Sequence, residues 1–353
     1  MSMDRRERPD STVEQRIRHT VAGLSAGDAV TWTSWWHRMA NLGPRRAVRL
    51  GEAWQHARDA VSTTLPTPYL HASSPSLADP AGATDDAEWF VVAVRHLLGQ
   101  DLDGAPATRP YAVWDDLAER RANDPDSVRG RIGTVIALDN IAAGAEPPAS
   151  GHDNPHYFDD IACVRAVAAG VLRAGDPEGA ASSAAGDAEV THALDGVWGA
   201  RAIAALVASL VGGADRTTAI EAARAEIPAD SWCANVVAEC QAVVEPAQTP
   251  LGLATRLERE SVDHVYSYMN QAPESVGLLL AHLSQAESAD ALLLGALSHP
   301  RHADGLVPLV GAVSGAVFGG PGTSPGTLAG TCVRGLAGVS MEDVIAAITK
   351  ERV

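Results

Sequence analysis

From residue 13 onward, apolar side chains recur at helical spacing in one segment after another, and nowhere does sustained period-two alternation mark a half-buried strand. The cleanest stripe follows Thr84, with apolar positions at Ala87, Phe90, Val91, Val94, Leu97 and Leu98. A first amphipathic helix is expected over VEQRIRHTVAGLSAG, ending at Gly27. A second is expected over 46–61, and the middle of the chain predicts helices over 112–122, 128–143, 159–174, 176–186, 194–212, 215–226 and 230–244. The last part adds 273–285, 288–298, 303–318 and 341–350.

Alanine is abundant, while phenylalanine and tyrosine occur only 3 and 5 times in 353 residues, so the helices are expected to meet through small side chains. Breaks such as EPAQTP are too short to separate domains, and no internal repeat is present. The chain therefore reads as one all-α domain over 13–353, behind a disordered lead over 1–12. Residues 62–83 form a Ser/Pro/Ala-rich loop of a length that is usually functional or mobile.

A formal net charge of −17 argues against a nucleic-acid binder and against an anionic membrane surface, since both need clustered Lys and Arg. One local site for a phosphorylated ligand remains compatible with it. The four cysteines form no CxxC pair and no regular framework, which argues against a zinc knot and a disulfide scaffold. The opening MSMDRRERPDSTVEQR lacks the apolar core of a signal peptide, and the longest uncharged stretch, GLVPLVGAVSGAVFGG, is short for a membrane span. A soluble, cytoplasmic protein is expected.

Two motifs are set aside. GTSPG matches the nucleophile-elbow pattern, but Pro325 follows the serine and has no N–H to offer an oxyanion. WDDLAE places Asp115, Asp116 and Glu119 like the aspartate-rich motif of isoprenoid synthases. Its nearest partner, NDPDSVRGR, contains a proline and ends in arginine where an acid belongs, so WDDLAE reads as a solvated helix face.

Acidic clusters at helix ends and turns carry more. Asp28 follows Gly27 in GLSAGDAV, where a polar turn residue is equally natural. In TDDAE, Thr84 suits an N-cap, and Asp85 and Asp86 occupy a first turn that the helix dipole favours. The same three residues also offer hard oxygen ligands suited to Mg²⁺ or Mn²⁺. In HDNPHYFDDIACVRAVAAG, Asp159 and Asp160 begin a helix, and His152, Asp153, Asn154 and His156 crowd the loop before it. His299, His302 and Asp304 precede a helix of glycine, alanine and valine able to pack deep. Asp187, Thr191, His192 and Asp195 precede another small-residue helix, from about Val197 to Val211.

In this order the segments resemble the ADP-ribosylglycohydrolase family, of the dinitrogenase-reductase-activating type. VAGLSAGDAV is similar to the family's opening G-x-x-x-G-D-A helix, and ATDDAEWFVVAV to its T-D-D-T motif. The run from IACVRAVAAG through GDPEG and DAEVTH to DGVWGA resembles its central segment, and HADGLVPLVGAVSGAVFG stands where the family has D-T-D-T and a glycine-alanine helix. The resemblance covers about 15–320 and implies a compact all-α fold with one or two Mg²⁺ or Mn²⁺ ions.

The resemblance further implies that Thr84, Asp85, Asp86 and Asp304 are ligands, with His302 a possible replacement for a lost carboxylate, and that Asp85, Asp86 and Asp304 are catalytic. It implies cleavage of an N- or O-glycosidic bond to ribose, in an ADP-ribosyl small molecule or a modified protein. Asp28, Asp153, Asp159, Asp160 and His192 are the implied substrate-binding residues. Trp35 joins them as an aromatic wall for a flat base, although Trp32, Trp35 and Trp36 are equally suited to core packing. The sequence departs from the family at Ala87, His302 and Gly305, where a hydroxyl, a carboxylate and a hydroxyl are usual. A member that binds a nucleotide-like ligand without hydrolysis is the alternative.

Overall fold

The computed structural model describes residues 12–32, 49, 52, 83–266, 268, 270–319 and 340–351. Residues 1–11 of the expected lead, all but 49 and 52 of the helix over 46–61, residues 62–82 of the loop and Trp35 lie outside the described residues.

The described residues fold into α-helices, with no strand among them. In chain order these are α1 (Val13–Trp32), α2 (Asp85–Leu97), α3 (Ala112–Asn123), α4 (Ile132–Ala142) and α5 (Ala149–His152). Then come α6 (Ile161–Leu172), α7 (Pro177–Ala188), α8 (Leu194–Gly212), α9 (Arg216–Ala225) and α10 (Trp232–Val243). The last five are α11 (Pro250–Glu260), α12 (Ala272–Gln285), α13 (Ala289–Leu297), α14 (Ala303–Phe318) and α15 (Met341–Lys350).

The small-residue segments form the centre, as the composition predicts. In α6 every residue from Ile161 to Val171 is buried, and α8 packs along it and along α7. α8 is long and apolar enough to cross a membrane, but 83% of that window is buried inside the protein, so it is a core helix.

The most extensive pairing joins two helices far apart in sequence, α1 and α14. Gly23 faces Gly311 backbone to backbone, and a Cβ on Gly27 would come within 2.9 Å of Pro308 Cα. Only side-chain-free positions allow so close an approach. This corrects the expected end of the first helix. Gly27 does not terminate α1, which continues to Trp32, because the glycine serves helix contact rather than a C-cap. As positions rise along α1 their partners fall along α14, so the helices are antiparallel. The C-terminal half of α1 therefore lies beside the first turn of α14.

Candidate active site

That antiparallel pairing brings Asp28 of α1 and Asp304 of α14 to the same end of the bundle, where α2 also begins. Asp28 accepts hydrogen bonds from the backbone N–H of Thr84 at 2.6 Å and of Ala87 at 3.1 Å, and from the Thr84 hydroxyl. Thr84 holds the N-cap position but makes no capping bond of its own. The carboxylate of another helix thus does the capping expected of Thr84. Burial, reinforced by neighbouring Asp85, pushes Asp28 up to about 7 against those hydrogen bonds.

Arg131, in the turn before α4, is the centre of the cluster. Its Nη2 donates to Asp86 Oδ1 at 2.8 Å and stands 3.9 Å from Asp304 Oδ2, while Nη1 bonds to Asp160 Oδ1. One guanidinium thus ties together the starts of α2, α6 and α14. Burial works against its charge, but Asp86, Asp304, Asp85 and Asp159 outweigh this and hold it firmly protonated. Burial also pushes Asp86 well above the carboxylate range; Arg131 opposes that rise, and Asp85, Asp28 and Asp304 add to it.

The pair before α6 is fixed from several sides. Asp160, fully buried, accepts from Ser275 Oγ of α12 at 2.6 Å. Asp159 accepts from the Gly133 N–H at 2.8 Å and pairs with His192 Nε2 at 2.8 Å. Burial opposes ionisation of Asp159, but His192 and Arg131 prevail and hold it below its ordinary range. The Asp160 N–H donates to the Asn270 carbonyl at 3.2 Å and the Ala272 N–H to the Phe158 carbonyl at 2.8 Å. These bonds seat the acidic turn against the segment that enters α12.

Over this cluster lies a cavity of about 440 Å³, within the range of roughly 300–1,000 Å³ usual for small-molecule sites. Asp85, Asp159 and Asp304 supply its carboxylates, and Arg129 and Arg131 its cations. Tyr268, 54% exposed, and Asn270 complete the polar lining. Asn270 Nδ2 lies 3.4 Å from Asp304 Oδ2.

The remaining expected residues stand elsewhere. His302 lies outside this cavity, buried at the start of α14, and its Nε2 bonds to Glu274 Oε2 at 2.6 Å. Glu274 takes the imidazole because it is the nearest buried anion, which removes His302 from the acidic cluster. Asp153 is exposed and does not line the cavity; its carbonyl accepts from Asn140 Nδ2 at 2.7 Å. His192 is fully buried and acts on the cavity only by orienting Asp159, with its Nδ1 2.6 Å from Thr191 Oγ1.

As placed, these donors do not compose a magnesium or manganese site. Asp86 and Asp160 are engaged by Arg131, and the Thr84 hydroxyl by Asp28. Gly305 has no oxygen to offer from its side chain. Among the described residues, no three carboxylate, imidazole or thiol groups gather in a geometry that could hold a metal ion.

Four lining residues, Arg129, Arg131, Tyr268 and Asn270, escaped the sequence reading. The available signal was the arginine pair of NDPDSVRGR, basic residues in an acid-rich chain just ahead of a helix.

A sequence profile of the family described as ADP-ribosylglycohydrolase matches residues 9–347. The chain belongs to the ADP-ribosylglycohydrolase family. A solved ADP-ribosylglycohydrolase-related protein complex shares the fold, with a TM-score of 0.62 at 18% identity over 97% of this chain and 99% of that one. No curated protein matches the chain by sequence. Family membership agrees with the all-α fold expected from the sequence and points to glycohydrolase-type chemistry in general terms.

Proposed function

We propose that this ADP-ribosylglycohydrolase-family chain binds an ADP-ribosyl group in the cavity above Arg131 and hydrolyses the glycosidic bond at its terminal ribose. One observation carries the reading: carboxylates, guanidiniums, an amide and an exposed phenol ring line a single cavity where α2, α4 and α14 begin. Carboxylates and an amide suit vicinal ribose hydroxyls, guanidiniums suit a diphosphate, and a phenol ring suits a flat base.

Asp304 is the best-placed proton acceptor. Its side chain keeps 26% exposure and lines the cavity, whereas Asp86 and Asp160 are buried against Arg131. In the proposed reaction a water attacks the anomeric carbon as Asp304 takes one of its protons. The bond from that carbon to the leaving nitrogen or oxygen breaks, and the leaving group keeps the electron pair and receives the proton that Asp304 took from the water, which regenerates the carboxylate. Asp85 and Asn270 hold the ribose hydroxyls, and Arg131 keeps the starts of the helices in register.

The test is turnover of ADP-ribosylated arginine, serine and O-acetyl substrates, with D304N as control. Release of ADP-ribose by the native chain and its loss in D304N supports the reading. The same rate in D304N sinks the assignment of Asp304.

A second reading is favoured by Arg131 itself, because a guanidinium held by Asp86 and Asp160 leaves fewer carboxylates for chemistry. On that reading the chain captures ADP-ribose and releases it unchanged. Calorimetric binding of ADP-ribose without turnover of any of those substrates would select it.

A further inference from the structure

We infer that Arg131 is the resident cation of this site, holding the acidic cluster in place of a bound divalent ion, so that the chain takes its ligand without Mg²⁺ or Mn²⁺. The guanidinium lies where the cluster most needs positive charge. It bonds to Asp86 and Asp160 and stands 3.9 Å from Asp304, and these three residues come from three different helix starts. Its side chain is only 10% exposed. Aiming both terminal nitrogens at carboxylates leaves its Nε buried with no hydrogen-bond partner.

A second observation comes from the opposite wall. A Cβ on Gly305 would stand 3.0 Å from Arg131 Nη1 and 2.9 Å from the carboxyl carbon of Asp160. The residue that offers no ligand oxygen is thus also the one whose bareness makes room for the guanidinium. A side chain at 305 would displace the Asp160 carboxylate that the guanidinium holds and press Arg131 Nη1 back as well. His302, turned onto Glu274, leaves Asp304 as the only acid that the first turn of α14 gives the cluster.

Charge and geometry then decide the occupant. A divalent ion would have to approach carboxylate oxygens that already hold N–H donors, and it would meet a fixed like charge. Arginine does not deprotonate in a protein, so its charge is present at every working pH. The same permanence fits a site that holds its shape with no ion added.

The test uses the full chain, freed of metal by chelation, with Mn²⁺ as the probe. Free Mn²⁺ is counted by electron paramagnetic resonance and the thermal midpoint is followed in parallel. The native chain is expected to take up no stoichiometric Mn²⁺ and to keep its midpoint. R131A and the near-isosteric R131Q remove the cation and leave the carboxylates. Each is expected to bind Mn²⁺ and to gain roughly 5 °C at a hundredfold excess over Kd. R131K, which keeps the charge, is expected to behave like the native chain.

Stoichiometric Mn²⁺ on the native chain overturns the inference, and so does a folded R131A or R131Q that binds none. Should both neutral variants unfold, the native titration decides by itself. A last arm rests on the reading of the cavity as an ADP-ribose site: affinity for ADP-ribose is expected to be equal in EDTA and in Mn²⁺. Affinity that appears only with Mn²⁺ overturns the inference. Absence of ADP-ribose binding in both media counts against the proposed function and leaves the Mn²⁺ result standing.

Discussion

Gly305 and Arg131 fit together as a pair: a Cβ at position 305 would stand 3.0 Å from Arg131 Nη1 and overlap the Asp160 carboxylate that the guanidinium holds. Asp160 is fully buried and also tied to Ser275, so it has little room to yield. The first turn of α14 can approach the acidic turn before α6 only because position 305 is bare.

Adding a side chain there is expected to cost stability. G305A should lower the unfolding free energy by about 1–3 kcal/mol, the usual range for overpacking, in a urea titration of the full chain. In an R131A background the same change should cost less, because one of the two obstructing groups is gone. Equal costs in both backgrounds would show that the two positions are uncoupled.

Asp28 anchors the start of α2 from α1, with two backbone donors and one hydroxyl on its carboxylate. D28A strips the Thr84 and Ala87 N–H groups of their acceptor and leaves the Thr84 hydroxyl only Asp85, a loss of about 2 kcal/mol. Hydrogen exchange checks the cause. The amides of Thr84 and Ala87 should exchange faster in D28A, while those in the middle of α8 should change only with global stability. Protection retained at Thr84 and Ala87 would count against this capping role.

Helix order and the buried small-residue faces of α6, α8 and α14 were legible because apolar spacing reports burial directly. The end of α1 was misread for a physical reason. Glycine marks either a helix end or a close approach of two backbones, and sequence alone does not separate them; Gly27 is the second kind. The acidic members of the site were legible as helix-start residues. Their common cation was not, since Arg131 sits in an irregular turn and its meaning depends on partners 45 and 29 residues away. Tyr268 and Asn270 carry no periodic signal at all. His302 had a histidine's range of uses, and only the position of Glu274 chooses among them.

A second buried charge cluster makes part of the fold's stability acid-sensitive. Arg165 donates from Nε to Asp187 Oδ2 at 2.7 Å and from Nη2 to Thr191 Oγ1 at 2.8 Å, and it lies 4.7 Å over the Trp114 ring. His96 Nδ1 meets Asp187 Oδ1 at 2.8 Å. Burial opposes the charge on Asp187, but Arg165 and His96 prevail and lower it from 3.8 to about 2. A depressed carboxylate binds fewer protons folded than unfolded, so its stabilisation is present above pH 3.8 and lost as pH falls toward 2. The linkage amounts to about 2 kcal/mol. D187N should therefore lower stability at pH 7 and flatten its decline between pH 4 and 2. An acid limb as steep as that of the native chain would assign the decline to other groups.

On the proposed function, Tyr268 and Arg129 at the rim of the cavity take different parts of an ADP-ribosyl ligand. Tyr268 is half-exposed and held edge-on to His156, with ring centroids 5.0 Å apart, which leaves its ring available to a base. Arg129 is 62% exposed and lies 4.0 Å from Glu88, whose pKa burial pushes up to about 7 although Arg129 opposes the rise. That partner is only partly charged near neutrality, so the arginine keeps positive potential for a phosphate. Y268A and R129A should each weaken ADP-ribose binding by about tenfold, measured by calorimetry. The two losses should differ in kind. Adenosine should lose affinity in Y268A alone, and ribose 5-phosphate in R129A alone, with the phosphate-dependent part fading as salt rises. If both variants weaken both fragments alike, the rim acts as one structural unit and the division between base and phosphate fails.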